Sequence, residues 1–345
     1  MVTFLKMITL KDVARKAQLH VSTISHILHS QDARYSFATR QRVEEIAKQL
    51  GYRPDTLARS LTLGKTNTIG VVGHDFVTSI NMERVDAIAA FAQRQGYHIL
   101  LAGGGLDILS GGEKELVDGL LSRRIDGLII FIAAQSDISF YRELGEKGIP
   151  IVLTTHVRIP NLPCVTVNIE QGYYEATRHL LEQGHRKIAL AVATQFRIGL
   201  RNRFHGYQRA LKSYGVTETE KLLPASGHMS ISDSYEFTKE QIRRRQRPTA
   251  IIYANDEHAI AGLHALEEAG MDVPKEISVV GCDDLPFAQY TSPPLTTVYQ
   301  PKSEVSQAAI ELLIKQIDGQ LVRKNVAVPL LTKLIIRQST GPVPR

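Results

Sequence analysis

From residue 68 onward the chain repeats one pattern, a short apolar run followed by a longer stretch of helical periodicity. The apolar runs stand at 68–73, 98–102, 127–132, 149–154, 165–168, 187–193, 250–254 and 277–281. Strands that are apolar along their whole length are covered on both faces. Strands separated by helices pair in parallel, because a parallel connection needs a crossover of about a dozen residues or more. Glycine closes several of the helical patterns, at Gln95-Gly96, Gln183-Gly184 and Ala269-Gly270. Two rounds of the rhythm, broken near 160–166, predict two similar parallel-sheet lobes. Ligands of open α/β sheets bind outside the carboxyl ends of the strands, which makes Asp75, just after the first strand, a candidate ligand residue.

The first 66 residues are different. Of the chain's 41 Lys+Arg and 35 Asp+Glu they hold 11 and 5, which leaves 30 of each sign for the rest. The whole net charge of +6 therefore sits on the first fifth of the chain. A basic head on a neutral body suggests a polyanionic partner that only the head touches; the plain alternative is a basic extension that aids solubility. Residues 9–17 read as a short helix capped by Thr9, with Asp12 three positions on and Leu10, Val13, Ala14 and Ala17 on one face. After the connection 18–20, a second helix from Val21 to about His29 turns Ile24, Ile27 and Leu28 inward and Val21, Ser22, Ser25 and His26 outward. A third, from near Ser36 to Leu50, buries Val43, Ile46, Ala47 and Leu50 and stops at Gly51. This is a helix-turn-helix plan, whose second helix would enter a major groove. A plain three-helix bundle has the same periodicity, and the charge favours DNA.

These segments resemble the lactose-repressor (LacI/GalR) family of bacterial transcription regulators. The resemblance rests on Ile8-Thr9-Leu10-Lys11-Asp12-Val13-Ala14, Val21-Ser22-Thr23-Ile24-Ser25-His26-Ile27-Leu28, Thr39-Arg40-Gln41-Arg42-Val43 and Leu50-Gly51-Tyr52-Arg53-Pro54. It implies a DNA-binding domain over 7–54, with Met7 as the start, and base-reading positions at Val21, Ser22 and His26. Thr9, Ser25 and Tyr52 join them as DNA-binding residues. His20 stands where the family usually caps the recognition helix with serine, and histidine is the poorer cap. Residues 55–66 correspond to a hinge, too short to be a stable helix alone. In the family it orders on DNA beside its dimer mate, where a leucine enters the minor groove. Leu61 matches that leucine and Ala58 lies in the same segment; a plain linker with Leu61 packed on the body is the alternative.

For the body, 67–340, the resemblance implies a periplasmic-binding-protein-like fold of two lobes, roughly 67–165 plus 298–325 and 166–297 plus 326–340. Residues 294–318 would supply a crossover and an interface helix. The stretch Arg201-Asn202-Arg203-Phe204-His205-Gly206-Tyr207 corresponds to one whose second arginine, here Arg203, binds the effector. Asn255 and Asp283 match ligand-facing strand ends. Asp256 and Asp284 are equally suited to capping helices, and Arg201 to an ion pair between lobes. Where the family often carries an aromatic face for a sugar, this chain has Thr78-Ser79-Ile80-Asn81-Met82; Cys282 replaces another aromatic, and there is no tryptophan. His74, Phe76, Phe196 and Tyr253 are the rings that could stack on a ligand instead.

Other classes fit less well. No apolar run approaches the roughly 18–20 residues of a membrane span, and the start shows no signal peptide, which points to the cytoplasm. Cys164 and Cys282 form neither a disulfide framework nor a metal pattern. Gly103-Gly104-Gly105 and Gly111-Gly112 make neither a dinucleotide fingerprint nor a Walker loop. An α/β enzyme such as a dehydrogenase with an accessory head therefore lacks its signature, and a soluble periplasmic binding protein would not carry the basic head. No leucine heptads follow Arg337, so a dimer is expected. The expected function is an effector-controlled repressor without cofactor. It would bind a pseudo-palindromic operator in double-stranded DNA and a sugar, sugar derivative or nucleobase-like ligand.

Overall fold

The computed structural model describes residues 8–29, 34–52, 64–73, 76, 78–103, 112–131, 137–156, 158–192, 198–216, 230–320 and 326–344. Met7, the hinge residues Ala58 and Leu61, and the cleft candidates His74, Asp75 and Phe196 lie outside them, as do Gly104, Gly105 and Gly111. The chain divides into two units, Met1–Thr66 and Asn67–Arg345.

In the first unit, α1 (Leu10–Ala17), α2 (Val21–His29) and α3 (Phe37–Leu50) enclose Val13, Ala14, Ala17, Ile24, Ile27, Val43 and Ala47. Ile46 and Leu50 pack on that core while half-buried. The Asp12 carboxylate accepts from the Thr9 backbone N–H (3.0 Å) and hydroxyl (2.7 Å), tying down the start of α1. Ser36 caps α3 by accepting from the Thr39 N–H at 3.2 Å, and Gly51, at φ 68°, ends it. Helices this short gain most of their stability from the shared core.

The second unit runs β1 (Thr68–Gly73), α4 (Ser79–Arg94), β2 (His98–Gly103), α5 (Glu113–Leu121), β3 (Gly127–Phe131), α6 (Ile138–Glu146), β4 (Ile151–Thr155) and β5 (Cys164–Asn168). It continues with α7 (Ile169–Glu182), β6 (Ile188–Ala191), α8 (Ile198–Ser213), α9 (Ile231–Arg243), β7 (Ala250–Tyr253), α10 (Asp256–Glu268) and β8 (Ser278–Asp283). A short 3-10 turn (Pro286–Tyr290), β9 (Thr296–Tyr299), α11 (Lys302–Ile317), β10 (Ala327–Leu331) and β11 (Lys333–Ile335) complete it. One sheet has the order β10-β5-β4-β3-β1-β2 and the other β11-β9-β8-β7-β6. Apolar clusters cover both faces of each sheet, except at the edge strand β2, where Leu100 and Leu101 are exposed although the run is apolar throughout.

Three strands lie outside the apolar runs named above: β9 and β11, which are short and carry polar residues, and β10, an apolar run interrupted by Pro329. They redraw the lobes. β5 reaches Asn168 and β10 pairs with it residue for residue from Ala327↔Cys164 to Leu331↔Asn168, so 166–168 and 327–331 belong to the first sheet rather than the second. β9 lies wholly in the second sheet, including Val298 and Tyr299, which the sequence division gave to the first. The chain thus crosses between lobes after Asn168, after Tyr299 and after Leu331. β11 is antiparallel to β9, a departure from the all-parallel expectation at an edge that needs no helical crossover.

One close approach sets the geometry of the second lobe. A Cβ at Gly206 of α8 would stand 2.1 Å from the backbone oxygen of Glu170 on α7, so the two helices touch backbone to backbone there. Helical backbones do not yield cheaply, and Gly206→Ala should cost about 1–3 kcal/mol, the usual range for overpacking. At Gly119 of α5 the nearest atom is the Arg123 guanidinium, 3.7 Å away, and Gly119→Ala should gain up to about 1 kcal/mol from helix propensity. Thermal denaturation of both variants checks this; equal midpoints would contradict the close approach.

Candidate functional site

On α2, Ile24 and Ile27 are buried while Ser22 and His26 are exposed. Ser25 is half-buried, and Val21, expected on the outer face, partly packs on the three-helix core. Val21, Ser22, Ser25 and His26 occupy positions i, i+1, i+4 and i+5, neighbouring on consecutive turns. His20 does more than a poor cap would. Its Nδ1 accepts from the Ser22 hydroxyl (2.7 Å) and, at longer range, from the Ser22 N–H (3.4 Å), so the imidazole holds the first turn. Tyr52 is half-buried against the core and Thr9 is engaged with Asp12. Lys11, Arg15, Lys16, Arg42 and Lys48 are exposed; Arg42 also donates to the Ala17 carbonyl at 3.2 Å, closing the end of α1 onto α3.

In the second unit, charged groups from both lobes converge on Asp283 at the end of β8. Its Oδ1 accepts from Gln300 Nε2 at 2.6 Å, and Gln300 Oε1 accepts from Arg84 Nη2 of α4 at 3.4 Å. The amide therefore links a guanidinium of the first lobe to a carboxylate of the second. Asp283 and Asp284 have φ of 116° and 50°, strained conformations for residues with side chains. Lys302 holds them there, its Nζ donating to both their carbonyls (3.0 and 2.9 Å) while pairing with Glu83 at 2.8 Å. Asp284 is fixed by Arg337 at 2.7 Å, so it caps no helix.

Arg203 of α8 stands over the Tyr173 ring at 5.6 Å and hydrogen-bonds its hydroxyl, which in turn donates to the carbonyls of Tyr253 and Ala254. Arg203 and Arg84 both lie near enough to Asp283 to favour its charge, yet burial outweighs them and pushes its pKa up to about 6. His156, just past β4, is driven down to about 3 by burial and by the same two arginines, so it is a neutral imidazole. Its backbone carbonyl accepts from Asn202 of α8 at 3.1 Å, and Ser79 of α4 donates to Glu257 of α10 at 2.6 Å, two further bonds between the lobes. Three buried nitrogens in this group lack hydrogen-bond partners: Arg84 Nε, Arg203 Nε and His156 Nδ1.

Two of the four sequence-named cleft residues, Arg203 and Asp283, fall in this cluster. Asn255 caps α10, accepting from the His258 N–H at 2.8 Å. Arg201 is exposed rather than paired between lobes as one reading had it. Tyr253 is fully buried in the second lobe with its hydroxyl bonded to Thr238, and is not placed to stack on a ligand. Phe76 packs edge-on against Phe131. Arg84, His156, Gln300 and Lys302 were not anticipated. Only the Gln300-Pro301-Lys302 run at a crossover offered a signal, since polar residues there must face a neighbouring lobe.

Known proteins resemble this chain in sequence and fold. Residues 9–55 match the family described as bacterial regulatory proteins, lacI family, and residues 177–340 match the periplasmic binding protein-like domain. The chain is 32% identical over 336 residues to the HTH-type transcriptional repressor PurR of Vibrio atlanticus, covering 93% of this chain and 95% of the relative. It is 29% identical over 335 residues to catabolite control protein A of Priestia megaterium, covering 96% and 99%. In structure it is similar to the lac repressor dimer bound to operator and the anti-inducer ONPF, with TM-score 0.84, 26% identity and coverage of 97% and 100%.

Asp256, expected to cap a helix, instead braces the second lobe. Its fully buried carboxylate accepts from the Leu285 N–H (2.8 Å) and the Thr297 hydroxyl (2.5 Å). Burial, then the nearby Asp283 charge, pushes its pKa up to about 8. The folded chain thus keeps a proton that the unfolded chain releases near pH 4, and stability falls as pH rises from about 4 to about 8. Asp283 acts with the same sign but only up to about pH 6. Urea unfolding between about pH 6.5 and 8 should therefore show a loss of stability in the wild type that Asp256→Asn lacks. Parallel pH dependence in the two proteins would contradict the assignment.

Proposed function

The chain belongs to the lacI family of bacterial regulatory proteins, a DNA-binding repressor controlled by a small-molecule effector, and from that premise we propose how its residues divide the work. The helix α2 enters the major groove, where Val21, Ser22, Ser25 and His26 meet base edges. Thr9 and Tyr52 contact the duplex beside it, and the exposed lysines and arginines of the first unit neutralise phosphates. The chain acts as a homodimer, so two such helices fall about one DNA turn, roughly 34–36 Å, apart and the operator is a pseudo-palindrome. The hinge over 55–66 orders only on operator, with Ala58 and Leu61 at the minor groove.

The effector, a sugar, sugar derivative or nucleobase-like molecule, binds between the lobes through Arg203 and Asp283, with Asn255 and Asp75 as further ligand residues. One observation carries this reading: Arg84 and His156 of the first lobe share a buried cluster with Arg203 and Asp283 of the second. A ligand seated there touches both lobes at once, and it competes with or reinforces bonds such as Ser79–Glu257 and Asn202–His156. Differential binding to two lobe arrangements then shifts the population that orders the hinge. The chain works by binding, in the cytoplasm, and catalyses no reaction; no described helix is long and apolar enough to cross a membrane.

The hinge claim is testable by fluorescence anisotropy with an operator recovered from random duplexes. Leu61→Ala should weaken operator binding by about tenfold or more while leaving the salt dependence unchanged, because a leucine neutralises no phosphate. An equal loss on operator and on unrelated duplex would remove Leu61 from sequence-specific binding.

A further inference from the structure

We propose that the effector is a small organic anion, whose carboxylate or phosphate is gripped by Arg84 together with Arg203. The inference rests on the interlobe reading above and adds its ligand class and a second arginine.

Both the charge balance and the unmet donors of the cluster point to an anion. Among the described residues of the cluster, Lys302 is matched by Glu83 and by two backbone carbonyls. That leaves, among the described side chains, two guanidinium groups against one carboxylate, Asp283, with His156 held neutral and Asp75 outside the described residues. An uncompensated positive charge is costly away from water, and a bound anion would offset it. The donor inventory agrees. A guanidinium has five N–H donors and no acceptor. Arg84 spends one of them on a long 3.4 Å bond to Gln300, and its buried Nε has no partner. Arg203 lies on the Tyr173 ring, and its Nε is equally unpartnered. Buried polar groups are almost always bonded, so two adjacent exceptions that can only donate call for acceptor oxygens. Carboxylate and phosphate each present pairs of such oxygens that the planar guanidinium fork can grip with two bonds. A neutral sugar hydroxyl would satisfy a donor and leave the charge standing. The missing aromatic face after the first strand, where Thr78-Ser79-Ile80-Asn81-Met82 stands, fits a site that selects by charge rather than by stacking.

The test uses the full-length protein at constant ionic strength and matched probes: D-gluconate for a carboxylate, D-glucose 6-phosphate and inorganic phosphate for a phosphate, with D-glucose and adenosine as neutral controls. Thermal shift and titration calorimetry are run on the wild type, Arg84→Met, Arg84→Lys and Arg203→Met. At least one anion should stabilise the wild type where its neutral counterpart does not. Arg84→Met should weaken that anion about tenfold or more, as loss of a charge-assisted bond predicts, and Arg84→Lys should recover part of the loss. A neutral probe that binds wild type and Arg84→Met alike but fails with Arg203→Met would overturn the anion while leaving the interlobe site standing. Anion effects equal in wild type and Arg84→Met, including no effect in either, would also overturn it. Loss of all binding in both Met variants with neutral and anionic probes equal would do the same.

Discussion

Burial of one carboxylate between guanidinium groups from two lobes is the constraint around which the body is organised. Asp283 cannot shed its charge into water, so it depends on Gln300, Arg203 and Arg84, and the last of these, from the first lobe, reaches the group only when the lobes stand as they do. The supporting structure is correspondingly stiff. Lys302 pins the carbonyls of two left-handed aspartates, Arg337 fixes the second of them, and Asp256 ties the adjoining loop to β9. Charges held this way are a poor source of stability, because desolvation consumes much of the attraction. They are, however, a sensitive reporter of anything that alters their neighbours. Such a cluster suits a sensor whose output is a change in lobe arrangement.

Much of this was legible in the sequence, and the reasons are physical. The three-helix head was readable because short amphipathic helices advertise their buried face at i, i+3 and i+4, and because capping residues such as Thr9, Ser36 and Gly51 sit at their ends. Most of the eight apolar runs were readable because doubly covered strands favour apolar residues at every position; β2 is the exception, an apolar run on an exposed edge. β9, β10 and β11 escaped for the converse reason. Thr296 and Thr297 are polar yet buried, so β9 makes no apolar run, and β10, though apolar, carries Pro329, which argues against a strand. The lobe division slipped with them, since parallel pairing of β10 with β5 joins residues far apart in sequence.

The site was only half legible. Arg203 and Asp283 stand in recognisable local patterns. Arg84 lies in the first turns of an ordinary amphipathic helix and His156 follows an ordinary strand; nothing local marks either, and only the meeting of two lobes gives them a role. His20 shows the opposite failure. A rule about preferred caps undervalued a ring nitrogen that takes the place of a serine hydroxyl. Propensity describes what is common, while the chain uses whatever acceptor the geometry supplies.

On the proposed function, this buried cluster, confined to the body, governs how tightly the basic head holds its operator. Asp283→Asn changes one charge in the cluster and alters no residue of the head. Its affinity for operator, measured by anisotropy beside that for unrelated duplex, should depart from the wild type by about tenfold in one direction, a coupling of about 1.4 kcal/mol, with unrelated duplex unaffected. Identical operator affinities in the two proteins would contradict the account.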